Sequence, residues 1–138
     1  IEVAKRLPQY TFRLLISADM KTIMDFLHCE VPNNMKIIPK QSDIHPFLRT
    51  SDLLLNLSIP SLCIETFGMT ILEAMAYGIP AVVPNVGGPV ELIINGYNGY
   101  CIDVTDVDAV SETIQKALSI KKYEYLAKNS IERLKSFT

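Results

Sequence analysis

A parallel α/β sheet covered by helices on both faces is the fold class this sequence predicts, and three observations predict it. Short runs such as "TFRLLIS" (11–17), "NMKIIP" (34–39) and "GIPAVVP" (78–84) are apolar without alternation, which fits strands buried on both sides. Segments of helical period separate them, as in successive β-α-β units. Finally, 138 residues with 49% apolar and 20% charged content can build one domain with a proper core.

Each element has its own signal. Residues 1–7 read as the end of an amphipathic helix, stopped before Pro8. Residues 11–17 form the first strand, and a helix follows over about 20–28. The second strand is 34–39, and "SDIHPFLRT" (42–50) is a helix for which Ser42 or Asp43 is the cap. "DLLLNL" (52–57) is the third strand and "GIPAVVP" the fourth. Between them a helix starts at about Phe67 and stops at Gly78, with Pro80 beyond. After "PVELII" and the turn residues Asn95 and Gly96 comes the fifth strand, "NGYCID" (98–103). "DVDAVSETIQKAL" (106–118) is an acid-capped helix. The tail "IKKYEYLAKNSIERLKSF" carries Ile120, Tyr123, Leu126, Ser130 with Ile131, Leu134 and Phe137 at helical spacing, which predicts one apolar stripe.

Composition excludes several functions. A net charge of −2 gives no electrostatic case for nucleic acid or an acidic membrane. Cys29, Cys63 and Cys101 form no C-x-x-C pair, so free thiols in a reducing cytoplasm are expected, not a disulfide framework or zinc site. No apolar run approaches the roughly 18 residues of a membrane span. A cytoplasmic location follows as the expectation. Because residue 1 is Ile and falls within a helical pattern, the chain is expected to be a piece of a longer protein. His28 and His45 read as surface or structural residues, Cys63 as a packing residue, and Lys121, Lys122 and Lys128 as a solvated helix face.

One stretch, "CIETFGMTILEAMAYGIP" (63–80), invites a chemical reading. It follows the carboxyl end of the third strand, where parallel α/β sheets bind ligands. Thr66 can cap the helix, and Gly68 lets a bound group approach the backbone. The free amides of Phe67, Gly68 and Met69 at a positive helix end suit a phosphate. Glu65 lies level with that phosphate, and Glu73 about 10 Å further along the axis. A carboxylate is a good acceptor for vicinal hydroxyls, so the pair suits a nucleotide sugar. Spacing alone leaves a plain alternative open, in which Glu73 is an exposed helix residue and Glu65 a loop acid beside a helix dipole.

Residues 58–110 carry Glu65 and Glu73, then Gly78, Ile79 and Pro80, then Gly87 and Gly88 before Glu91. This order and spacing resemble the carboxyl-terminal, donor-nucleotide lobe of retaining GT-B glycosyltransferases. More narrowly they resemble the "glycosyl transferases group 1" family, family 4-like. The resemblance implies a Rossmann-like lobe and transfer of a sugar from a nucleotide-diphosphate donor to an acceptor with retention, in a glycan biosynthesis setting. It implies that Glu65 faces the donor sugar near the anomeric carbon, as the catalytic candidate. Glu73 would take the ribose hydroxyls, and the amides of Phe67, Gly68 and Met69 the diphosphate, beside Thr66. Ile38, Pro39 and Lys40 would bond the base through their backbone, with Ser58 at the strand end on the ligand side. No metal and no cofactor beyond the nucleotide-sugar substrate is implied.

The sequence departs from the family pattern in places. The family's first strand, its Gly-Arg/Lys stretch and a later Lys are absent, and those cations would neutralise the leaving diphosphate. The expectation is truncation at both ends of one domain, 1–138, from a two-lobe protein. An upstream segment or a second chain would then fill a central strand slot. The acceptor would sit in a missing amino-terminal lobe, itself a candidate for peripheral membrane association. The chain alone would be inactive. "ISADM" (16–20) replaces the family's Gly-x-Gly, so a donor contact there is not expected. Rival readings are a nucleotide-binding regulatory module, and the lobe of a two-lobe sugar-nucleotide epimerase or phosphorylase.

Overall fold

The computed structural model describes residues 1–57 and 69–138. The chain divides into two compact units, Ile1–His45 and Pro46–Thr138. The first contains α1 (Glu2–Arg6), β1 (Phe12–Leu15), α2 (Met20–Phe26) and β2 (Met35–Ile38). β1 and β2 are parallel, with Phe12 opposite Met35 and Leu15 opposite Ile38. Asn34 ties this unit together. Its Nδ2 group reaches the carbonyls of Ala4, Leu7 and Tyr10 at 2.9, 3.0 and 3.0 Å, and its own carbonyl accepts from Phe12 N at 2.7 Å. The two N–H groups of one amide are thereby shared among three carbonyls, two of which, Ala4 and Leu7, also accept from Leu7 N and Tyr10 N. α2 begins where Asp19 accepts from Thr22 N at 2.8 Å and ends two residues short of the expected 28.

The second unit begins inside α3 (His45–Arg49). It continues with β3 (Leu54–Leu55), α4 (Met69–Ala76), β4 (Ala81–Pro84), α5 (Pro89–Leu92), β5 (Gly99–Ile102), α6 (Val107–Ala117) and α7 (Ile120–Leu134), and closes on a 3-10 turn, Lys135–Phe137. Of the two caps considered for α3, Asp43 accepts from His45 N at 3.0 Å. The acid cap of α6 is Asp106, which accepts from Ala109 N at 3.0 Å. Only two residues of the expected third strand are ladder-paired, and β3 lies beside β4 and β4 beside β5, all parallel.

Both faces of this sheet are covered. Ala81, Val83, Leu54 and Cys101 face Ile71 and Met75 of α4, together with Leu92 and Ile93. Tyr100 and Ile102 turn the other way, to Ala117 of α6 and Leu126 of α7. This alternation is the period of two expected of a strand, on a sheet whose central strand is buried throughout. Gly99 cannot be any other residue, because a Cβ there would strike the Ala81 carbonyl. The outer edge of β5 is shielded by its own turn: Asn95 Oδ1 accepts from Cys101 N at 3.2 Å, and Gly96 N donates to Gly99 O at 2.8 Å. A covered edge cannot recruit a foreign strand. Among the described residues β1 has β2 as its strand neighbour and β3 has β4, and no strand joins the two sheets.

The tail keeps the expected stripe at Leu126, Leu134 and Phe137, and α7 departs from it at Ile120. Ile120 is 80% and Ile131 50% exposed, whereas Ser130 is fully buried. The inward face is partly polar because it meets backbone, not side chains. Ser130 Oγ donates to Asn98 O at 3.3 Å and to Leu126 O at 2.9 Å. Lys122, read from sequence as solvated, instead donates to Gly96 O at 2.9 Å and lies over the Tyr125 ring at 4.9 Å. No helix among the described residues is long and apolar enough to cross a membrane.

Candidate functional site

The site is organised by α4, the helix that carries Glu73. Met69 to Ala76 are good helix formers apart from Thr70 and Ile71, and Ile71, Ala74 and Met75 lock one face onto the sheet. The helix ends in the predicted way. Gly78, at φ +70, donates to Met75 O and Ile79 N to Ala74 O, each at 3.0 Å. That pair of bonds is a Schellman motif, which needs a residue tolerant of the left-handed region. With the ending fixed, the opposite face is fixed too. Met69, Thr70, Ala76 and Tyr77 are exposed and Glu73 half-buried, so the carboxylate flanks the helix on its solvent side.

Ser58, Glu65, Thr66, Phe67 and Gly68 lie outside the described residues. Met69 opens α4 and is 60% exposed. The base-side candidates belong to the first unit, at the carboxyl end of β2. Ile38 is buried and its carbonyl accepts from Ile16 N at 3.0 Å. Lys40 N donates to Ala18 O at 2.9 Å, and Gln41 Nε2 donates to Pro39 O at 2.9 Å. A base edge that bonds the Ile38 or Pro39 carbonyl must therefore use its second lone pair or, at Pro39, displace the exposed Gln41 side chain. "ISADM" forms a tight turn, Ala18 N to Ile16 O at 2.8 Å, running into the Asp19 cap.

β4, the middle strand of its sheet, ends at Pro84 and releases the turn Asn85, Val86, Gly87 and Gly88 into α5. Gly87 adopts φ +81. Glu91 is exposed; its carbonyl, and not its carboxylate, makes the contact that matters, accepting from Arg133 Nη2 at 2.7 Å. Sequence reasoning missed Arg133. The available signal was the polar pair Asn129 and Ser130 on the inward side of the tail stripe, one turn before it. Burial pushes the Cys101 thiol up from its ordinary value, and its Sγ lies 3.6 Å from Ile93 O, a packing role and not that of a thiolate nucleophile. Among the described residues no three His, Cys, Asp or Glu side chains converge as a metal cage.

A parallel sheet with helices on both faces, a helix bearing a half-buried carboxylate after β3, and a glycine turn after β4 define an α/β lobe, a class whose ligands bind at the carboxyl ends of the strands. The family model for "Glycosyl transferases group 1" matches residues 1–133, and the chain belongs to that family. It is 33% identical over 134 residues to N-acetyl-alpha-D-glucosaminyl L-malate synthase of Bacillus anthracis, covering 94% of this chain and 33% of that protein. A sucrose synthase from Thermosynechococcus vestitus is 39% identical over 77 residues, 52% of this chain and 10% of that one. Among solved structures, Anabaena HepE in complex with UDP and glucose superposes with a TM-score of 0.83 at 25% identity, over 98% of this chain and 38% of that one. The chain thus spans between 10% and 38% of the length of each of these relatives.

Proposed function

We propose that residues 1–138 act as one donor-binding domain of a glycosyltransferase, which transfers a sugar from a nucleotide-diphosphate donor to an acceptor with retention. The observation that carries this reading is the family match together with the position of Glu73 on the open flank of α4. Glu73 takes the ribose hydroxyls and Glu65 the sugar. The amides of Phe67, Gly68 and Met69, beside Thr66, take the diphosphate at the start of α4. Ser58 is a further donor contact, and Ile38, Pro39 and Lys40 meet the base. Because HepE was crystallised with UDP, uridine is the base we propose.

The donor's own phosphate takes the acceptor proton on the face the sugar leaves, with no metal required. The acceptor, and the cations that meet the leaving diphosphate, come from outside these 138 residues, so the chain by itself binds donor without turning it over. The protein works in the cytoplasm, in glycan synthesis.

Calorimetric titration with UDP-, GDP- and ADP-sugars tests the proposal. The UDP-sugar should bind at least about tenfold more tightly than the other two. Equal or absent binding of all three would refute it.

A further inference from the structure

The long helix α7 grips the segment that follows β4 by its backbone. Lys122 donates to Gly96 O, Ser130 to Asn98 O, and Arg133 to Leu92 O at 3.3 Å and to Glu91 O at 2.7 Å. Inside the segment, the wholly buried Asn98 accepts from Ile94 N at 2.8 Å and donates to Leu92 O at 3.1 Å. Leu92 O is therefore held twice, by Asn98 and by Arg133. The guanidinium is itself stacked on the Phe137 ring at 4.8 Å, which leaves it little freedom to release the carbonyls.

What Arg133 holds matters more than how tightly it holds it. α5 is one turn long, far below the length at which a helix persists unaided. Its N-cap, Gly88, supplies no side-chain bond. Its carboxyl end is where orphan carbonyls gather and where a cation is electrostatically favoured. Arg133 supplies both the donors and the charge. Upstream, the same helix begins in the Gly87 and Gly88 turn at the carboxyl end of the central strand. Val86, Val90 and Ile94 stand exposed along its outer side, at 42%, 40% and 46%. α7 also packs on α4, with Ile131 against Gly78 where the Glu73 helix ends. Two residues of one helix thus frame both elements of the candidate site.

We propose that Arg133 is a positioning residue for donor binding. By fixing the Glu91 and Leu92 carbonyls it sets α5, and through α5 the Gly87 and Gly88 turn, against the diphosphate side of the donor. The inference rests on the nucleotide-sugar reading above.

The test compares Arg133→Met, Arg133→Lys and Ser130→Ala in the full protein, by amide exchange and by UDP titration. Arg133→Met should speed exchange at Val90, Glu91 and Ile93, whose N–H groups bond Gly87, Gly88 and Pro89 carbonyls, by about tenfold or more. It should weaken UDP by about tenfold. Arg133→Lys, which keeps one charged donor, should recover most of that affinity. Ser130→Ala, a stability control on the same helix face, should lower Tm and leave UDP affinity unchanged. Unchanged exchange at those amides in Arg133→Met overturns the clamp, as does an equal loss of affinity in Ser130→Ala. If Arg133→Met does not fold, the wild type decides: UDP should protect residues 86–90, and no protection there overturns the proposal. A wild type that binds no UDP while exchange still responds to Arg133→Met instead fails the nucleotide-sugar reading.

Discussion

Asn98→Ala is the sharpest perturbation of the core. Its side chain is wholly buried and makes two directed bonds, accepting from Ile94 N and donating to Leu92 O. The two losses are unequal. Leu92 O keeps Arg133 Nε at 3.3 Å, so removing the Asn98 donor costs about 1 kcal/mol, the net worth of one bond. Ile94 N–H loses the Asn98 oxygen in a half-buried setting, which costs about 1–2 kcal/mol. The sum, about 2–3 kcal/mol, is a large share of a domain's typical stability of about 5–15 kcal/mol. Urea unfolding followed by circular dichroism reads it directly. With a slope of about 1.5 kcal/mol/M, the midpoint should fall by about 1.3–2 M at unchanged slope. A loss below about 0.5 kcal/mol would mean the segment does not depend on this residue, and the account of how α5 is held would fail with it.

Other expectations come from single sites. Gly78→Ala should cost about 1–2 kcal/mol for the left-handed backbone, and a little more as Ile131 Cδ1, 3.2 Å from the new Cβ, gives way; thermal melting that shows no loss contradicts the Schellman assignment. The Thr22 backbone N–H, then its hydroxyl, hold the Asp19 carboxyl below its ordinary value of 3.8. The folded value is the lower one, so the cap's contribution is complete above 3.8 and fades as pH falls through the folded value. α2 should therefore lose helicity on acidification, and Asp19→Asn should remove that dependence, as residue-resolved NMR shifts would report. Thiol labelling mapped by mass spectrometry should find the exposed Cys29 reacting well before Cys101, whose thiol is half-buried and raised by desolvation. Equal rates would contradict the packing described for β5.

Much of the fold was legible because parallel strands buried on both faces leave a strong apolar signature. "GIPAVVP" and "NGYCID" gave β4 and β5, and Asp106 and Gly78 announced a helix start and a helix stop in the places where their chemistry is used. The errors have a physical pattern. Apolar counting put Ile120 on the inward side of α7 and Lys122 in solvent, because periodicity scores side chains and cannot see a backbone partner. α7 packs against a segment rich in carbonyls, so Lys122, Ser130 and Arg133 turn inward and Ile120 turns out. The weak ladder at β3 was equally invisible, since "DLLLNL" has the composition of a full strand and pairs over two residues. At the candidate site, the helix that carries Glu73 and its stop at Gly78 were legible. No sequence signal told that the backbone of residues 38–40 is already engaged by Ile16, Ala18 and Gln41.

The central claim is that Glu73 reads the ribose of a nucleotide donor. Its most direct test is a cycle of four affinities in the full protein: UDP and 2′,3′-dideoxy-UDP, each against wild type and Glu73→Ala. Charge-assisted hydrogen bonds to the hydroxyls should make the wild type bind UDP about 10- to 100-fold more tightly than its dideoxy analogue. In Glu73→Ala that preference should collapse to about twofold or less, both ligands binding at the weaker level. A dideoxy penalty of the same size in both proteins would place the ribose elsewhere and contradict the account.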